Sequence, residues 1–206
     1  MPKAAIHKPS TRRLIALSKQ VSACRLCSAE LAHEPRPVFA AGTQARLLIV
    51  GQAPGRKVHE SGVPWQDASG KRLREWLSVS DEQFYDDSIV ALLPMGFCYP
   101  GKGKSGDLPP QSICAPTWHD KLLAQMPNIE LTLLVGQYAQ QRYLPETAAM
   151  TLTERVKNWR SYAAIMPLPH PSPRNQPWLK KHAWFEAELV PELQIRVRQL
   201  LQAPGG

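Results

Sequence analysis

The chain has 206 residues, 43% of them hydrophobic, enough for one well-buried core, so a single domain is expected. Its apolar runs fall well short of the roughly 18 residues of a membrane span, and residues 1–7 hold no signal-peptide core, which predicts a cytoplasmic protein. A net charge of +8 favours a polyanionic partner, because each phosphate neutralised releases counterions.

Ser10 is placed to cap a helix over residues 11–23. Four short apolar or β-rich runs bounded by turn residues read as strands, at 46–50, 88–93, 130–135 and 162–168. Helical spacing puts helices at 70–77, 116–125 and 137–144, and a long one from Trp178 towards Leu201 that Pro191 breaks or kinks. Alternating strands and helices predict a three-layer α/β/α fold around a central four-stranded parallel sheet, with ligands collecting beyond the carboxyl ends of the strands. Residues 1–9 and 202–206 are expected to be disordered.

The chemistry-bearing motifs fall at those strand ends. The first strand runs into Gly51-Gln52-Ala53-Pro54-Gly55, whose glycines let a ligand approach the backbone. Pro54 removes a donor, and the string fits neither the lysine-bearing phosphate loop nor the dinucleotide pattern. Gly62-Val63-Pro64-Trp65 presents an indole that suits stacking on a flat ring, the alternative being a cap on the core. The last strand leads into His170-Pro171-Ser172-Pro173-Arg174-Asn175: a histidine at the root, a rigid Pro-Ser-Pro turn whose hydroxyl and amides suit a phosphate, and an arginine at the tip. Lys102 and Lys104 sit on a glycine-rich loop suited to backbone phosphates, while Trp178 and Trp184 read as core anchors with Lys180 and Lys181 facing outwards.

Cys24 and Cys27 form a chelate pair, with Cys98 just past a strand end and Cys114 near the start of a helix. In a cytoplasmic chain a metal site outweighs disulfides. Folding can gather the four thiolates at one place; on the residues alone zinc, a [4Fe–4S] cluster and unligated buried thiols all stay open.

Gly51-Gln52-Ala53-Pro54-Gly55, Gly62-x-Pro64-Trp65, Ser69-Gly70-Lys71-Arg72-Leu73 and His170-Pro171-Ser172-Pro173 together resemble, in order and spacing, the motifs of the uracil-DNA glycosylase superfamily. The resemblance runs from about Cys24 to Trp184; the layout and cysteines are similar to the iron–sulfur class called family four, and His-Pro-Ser-Pro-Arg-Asn is closer to the single-strand-selective monofunctional class. It implies a uracil-DNA glycosylase-like fold, hydrolysis of the N-glycosidic bond of a deaminated base in DNA, and a structural [4Fe–4S] cluster on Cys24, Cys27, Cys98 and Cys114. It also implies roles: Ser172 and Pro173 clamp a phosphate, Arg174 wedges the duplex with Asn175 beside it, and the flipped base stacks on Trp65. The Gly51–Ala53 backbone meets the uracil edge, and a neutral His170 donates to the departing O2 anion.

The chain departs from the family pattern at three positions. Ala53 stands where the best-known members have a water-activating Asp, and Gln52 where family four has Glu. His59, with Glu60, becomes a candidate for the missing charge. Pro94 replaces the asparagine that reads the uracil Watson–Crick edge, so base discrimination must arise elsewhere or the base differs. The expectation is therefore a monomeric DNA repair hydrolase, with a damaged- or single-stranded-DNA-binding protein of weak or no activity as the alternative, and an unrelated electron-transfer protein behind both.

Overall fold

The computed structural model describes residues 10–202. Four strands, β1 (Leu47–Val50), β2 (Val90–Leu92), β5 (Leu131–Val135) and β6 (Ile165–Leu168), form one parallel sheet in the order β2-β1-β5-β6. A two-residue hairpin, β3 (Lys102–Gly103) and β4 (Gly106–Asp107), stands apart from it. Pro167 has no N–H for a ladder and lies on the edge strand β6, where that loss is tolerated.

Side chains alternate between the two faces, and each face has its own core. Leu47, Ile49, Leu133, Met166 and Leu168 pack on one side, with α3 (Ala68–Leu77), α4 (Asp81–Tyr85), α8 (Gln176–Lys181) and α9 (Val190–Gln202) supplying Leu73, Phe84, Leu179 and Leu193. Leu48, Val50 and Leu134 pack on the other, against Leu14 of α1 (Thr11–Ser22), Leu122 of α5 (Cys114–Leu123) and Ala139 of α6 (Gln137–Tyr143). A parallel sheet covered on both faces is the three-layer α/β/α arrangement.

Local sequence explains most helix starts. Ser10 Oγ accepts the Arg13 N–H at 3.2 Å, as expected for the α1 cap. Ser80 with Gln83, and Thr151 with Glu154, close capping boxes that start α4 and α7 (Leu152–Lys157), two helices that the sequence spacing did not predict. A further unforeseen helix, α2 (Arg56–Ser61), follows Gly55 and ends on Gly62 at φ 75°.

Four expectations change. Residues 162–164 do not join β6; Trp159–Tyr162 is a 3₁₀ turn, and Ala163 at φ 48° turns the chain into the strand. The long C-terminal helix is three pieces, broken at His182 (φ −123°, ψ 57°), with a π-helical turn at Phe185–Leu189 just ahead of Pro191. That wider turn absorbs the donor that Pro191 cannot give α9. The glycine-rich loop at 100–106 contains the β3–β4 hairpin. Gln202 closes α9; the other residues expected to be disordered, 1–9 and 203–206, lie outside those described.

Candidate active site

The order β2-β1-β5-β6 reverses direction between β1 and β5, and at such a switch point the loops leaving the strands diverge and open a crevice. A cavity of about 690 Å³ lies there, lined by the β1 loop (Gly51–Gly55), Trp65, Pro94, Gly136 and the turn after β6 from His170 to Asn175. The sheet pairing extends beyond β1 and β2: Gly51 and Gln52 carbonyls accept the Met95 and Gly96 N–H groups, both at 2.9 Å. This fixes the β1 loop relative to Pro94.

His170 is held from several sides. Ser172 N–H donates to its Nδ1 at 3.2 Å, and Asn175 Nδ2 donates to its carbonyl at 2.8 Å. Because Nδ1 accepts, the neutral ring carries its proton on Nε2. Burial holds the imidazole below its ordinary pKa and outweighs the opposing pull of Asp67 and Asp107, so the neutral donor is the favoured form. Beneath it, the fully buried Gln140 donates from Nε2 to Leu168 O at 2.9 Å, and Gly136 N–H shares that acceptor, locking β6 to β5 at the root of the turn.

Trp65 sits opposite. Its ring stacks on His170 with centroids 5.9 Å apart and planes 29° from parallel, in a backbone conformation of φ 58° that a non-glycine residue rarely adopts. Gly51 makes room for it: a Cβ there would lie 2.8 Å from Trp65 Cζ2. The indole also packs against the core.

The turn after β6 is rigid as its prolines imply. Ser172 Oγ accepts the Arg174 N–H at 3.3 Å, Pro173 opens a 3₁₀ turn, and Ser172 O accepts the Asn175 N–H. Arg174 is exposed, with Nη1 resting where a Cβ of Gly106 would stand, so its side chain leans on the β3–β4 hairpin.

A scan against protein-family models matches residues 37–194 to the uracil DNA glycosylase superfamily. The chain belongs to that superfamily. The stretch matched includes every residue of the cavity wall named above, and Cys98 and Cys114, but begins after Cys24 and Cys27.

One expected site residue takes another place in this glycosylase-superfamily fold. His59 does not line the cavity: its ring lies 5.6 Å from that of His33 and 5.8 Å from that of Tyr99, because α2 turns it away from the β1 loop, and Arg36 Nη1 bonds the carbonyls of His59 and Glu60 at 2.7 Å. Asn175 lines the cavity, but its amide tethers the His170 carbonyl. Pro94 is on the wall, and its carbonyl accepts from Nε2 of the fully buried His119 at 3.0 Å, whose Nδ1 is 2.6 Å from the Tyr143 hydroxyl.

Three participants had no sequence motif. Asp67 caps α3, and an Asp ahead of a helix is a readable signal for the cap though not for the cavity it faces. Asp107 reaches the cavity only through the hairpin, and His119 looked like any residue of an amphipathic helix.

The four thiols are neighbours in space. Burial, together with the charges of the other cysteines, pushes Cys98 up to about 11 and Cys114 up to about 12. Phe97 N–H donates to Cys114 Sγ at 3.3 Å, and the Arg36 backbone N–H donates to Cys98. Among the described residues no group of three or more His, Cys, Asp or Glu is arranged to hold a single metal ion, and no helix is long and apolar enough to cross a membrane.

Proposed function

We propose that this chain is a DNA repair glycosylase that hydrolyses the N-glycosidic bond of uracil or a related deaminated base. The observation that carries this is His170: Ser172 N–H on Nδ1 leaves Nε2 as the proton-bearing nitrogen, in a cavity walled by Trp65. As the bond stretches, negative charge gathers on base O2 and positive charge on the sugar. A preorganised Nε2–H donor stabilises that anion as an oxyanion hole does, by roughly 3–4 kcal/mol.

The remaining side chains prepare that step. The base is flipped at a cost of a few kcal/mol and stacks on Trp65 while the Gly51–Ala53 backbone and Gln52 meet its edge. Ser172 and Pro173 grip the phosphate, and Arg174, braced on Gly106, fills the gap left in the duplex. Pro94 offers the base a shaped apolar wall and no polar side chain, which favours shape over edge reading. DNA is the partner, and the protein acts as a cytoplasmic monomer.

The same reading places the chain beside the iron–sulfur class, with a [4Fe–4S] cluster on Cys24, Cys27, Cys98 and Cys114. Two observations support the fit. Buried thiols with backbone N–H groups aimed at two of them suit thiolates neutralised by a cation. The Cys98 and Cys114 thiols also feel the charges of Cys24 and Cys27, which puts the four in one neighbourhood. The cluster would staple the segment after α1 to the loop after β2 and take no part in bond cleavage.

Pro94, Ala53 and Gln52 favour a second reading, a damaged- or single-stranded-DNA-binding protein without chemistry. Free-base release from single- and double-stranded oligonucleotides carrying uracil, hypoxanthine or normal bases decides between them. The glycosylase reading expects release that His170→Ala abolishes; tight binding with no release from any strand leaves the binding protein.

A further inference from the structure

Hydrolysis needs a group to take the proton of the attacking water, and neither the Gln52 amide nor the Ala53 methyl can. The cavity holds two carboxylates that can, Asp67 and Asp107. Each has one oxygen tethered: Asp67 Oδ1 accepts the Gly70 N–H at 2.8 Å, and Asp107 Oδ1 accepts the hydroxyl of the buried Tyr99 at 3.4 Å. Their second oxygens converge beside the β1 loop. A Cβ on Gly55 would lie 3.6 Å from Asp107 Oδ2 and 3.9 Å from Asp67 Oδ2. Both charges also bear on His170 across the cavity.

The two carboxylates differ in what holds them. Asp67 is fixed at the N-terminus of α3, where the helix draws on its charge. Asp107 stands on the hairpin whose Gly106 supports Arg174, so a wedge that engages DNA would set its position. We propose, resting on the glycosylase reading, that Asp107 is the catalytic base. Its Oδ2 takes a proton from water as the water oxygen bonds to C1′. The C1′–N bond breaks with its electron pair leaving on the base, where the Nε2–H of His170 meets the anion, and the proton then passes from Asp107 to the released base. Asp67 contributes the second negative charge towards the sugar cation.

The groups facing Asp107 are Tyr99, Asp67, His170, Lys102 opposite it in the hairpin, Arg174 against Gly106, and Arg56 and Lys57 on the cavity wall. The test is single-turnover base release from uracil-containing single-stranded DNA across pH, using the full chain, Asp107→Asn and Asp107→Ala, with melting temperature and DNA affinity measured alongside. Asp107→Asn should keep both and lose about 10²–10⁴-fold in rate. Added formate should restore part of the Asp107→Ala rate.

A rate within about threefold of wild type would overturn the assignment while leaving the glycosylase standing. So would a loss of rate matched by lost DNA affinity and not rescued by formate, which would make Asp107 a binding residue. A wild-type chain that releases no base from any strand would instead remove the glycosylase reading, and this one with it.

Discussion

The backbone N–H of Ser172 donates to Nδ1 of His170 at 3.2 Å, so the turn that would grip a phosphate also chooses which imidazole nitrogen carries the proton. Removing the ring should lower base release by about 10²–10³-fold with little change in DNA affinity. Burial keeps His170 below its ordinary 6.5, so the neutral donor persists above that pH and its protonation affects the rate only on the acid side. Rate against pH for wild type and His170→Ala checks both points.

Gly51 and Trp65 are a matched pair. Gly51→Ala puts a methyl 2.8 Å from Trp65 Cζ2, and the indole, pinned at φ 58°, has no easy retreat. The variant should stay folded, with overpacking costing about 1–3 kcal/mol, and hold uracil-containing DNA less well. Trp65→Ala should weaken the same binding by about 1–3 kcal/mol per stacked base. Binding titrations with and without uracil in the strand separate this from general DNA affinity.

Arg174→Ala should slow release from duplex DNA more than from single strands, because a wedge matters only where a base pair must be opened. Equal losses on both substrates would make Arg174 a phosphate contact instead.

The cluster proposal expects anaerobically purified protein to be brown, with about four irons per chain. Cys114→Ala or chelation should lower the melting temperature, because the staple between the α1 segment and the β2 loop is lost. Colourless protein with one tightly held zinc would replace the cluster by a single ion.

His119 is fully buried and its pKa is held down to about 4 by burial, against 6.5 when exposed. Between these values the unfolded chain binds a proton that the folded one refuses, so stability is full above about pH 6.5 and falls as the pH drops towards 4. The loss is of the order of 3 kcal/mol. Melting temperatures from pH 7 to 4 should show it, and His119→Gln should flatten the slope.

The sequence by itself determined the sheet and the two ends of the site. Runs such as Leu47–Val50 are strands because every residue is apolar and turn residues bound them, and a helix follows each, which leaves a parallel sheet as the arrangement that covers both faces. The prolines around Ser172 fix a turn by local stereochemistry, so its form was readable before its neighbours were known. The short helices after Ser80 and Thr151 escaped the sequence spacing, because each is little more than one turn, although a capping box opens both.

Only the tertiary structure decided what faces the cavity. His59 and Asp107 look alike in sequence, each a titratable residue in a loop-rich stretch after a strand. The turn of α2 carries the first away to His33 and Tyr99, while the β3–β4 hairpin brings the second to Gly55. Which side of a short element a side chain takes depends on packing between segments distant in sequence, and no local pattern encodes that contact.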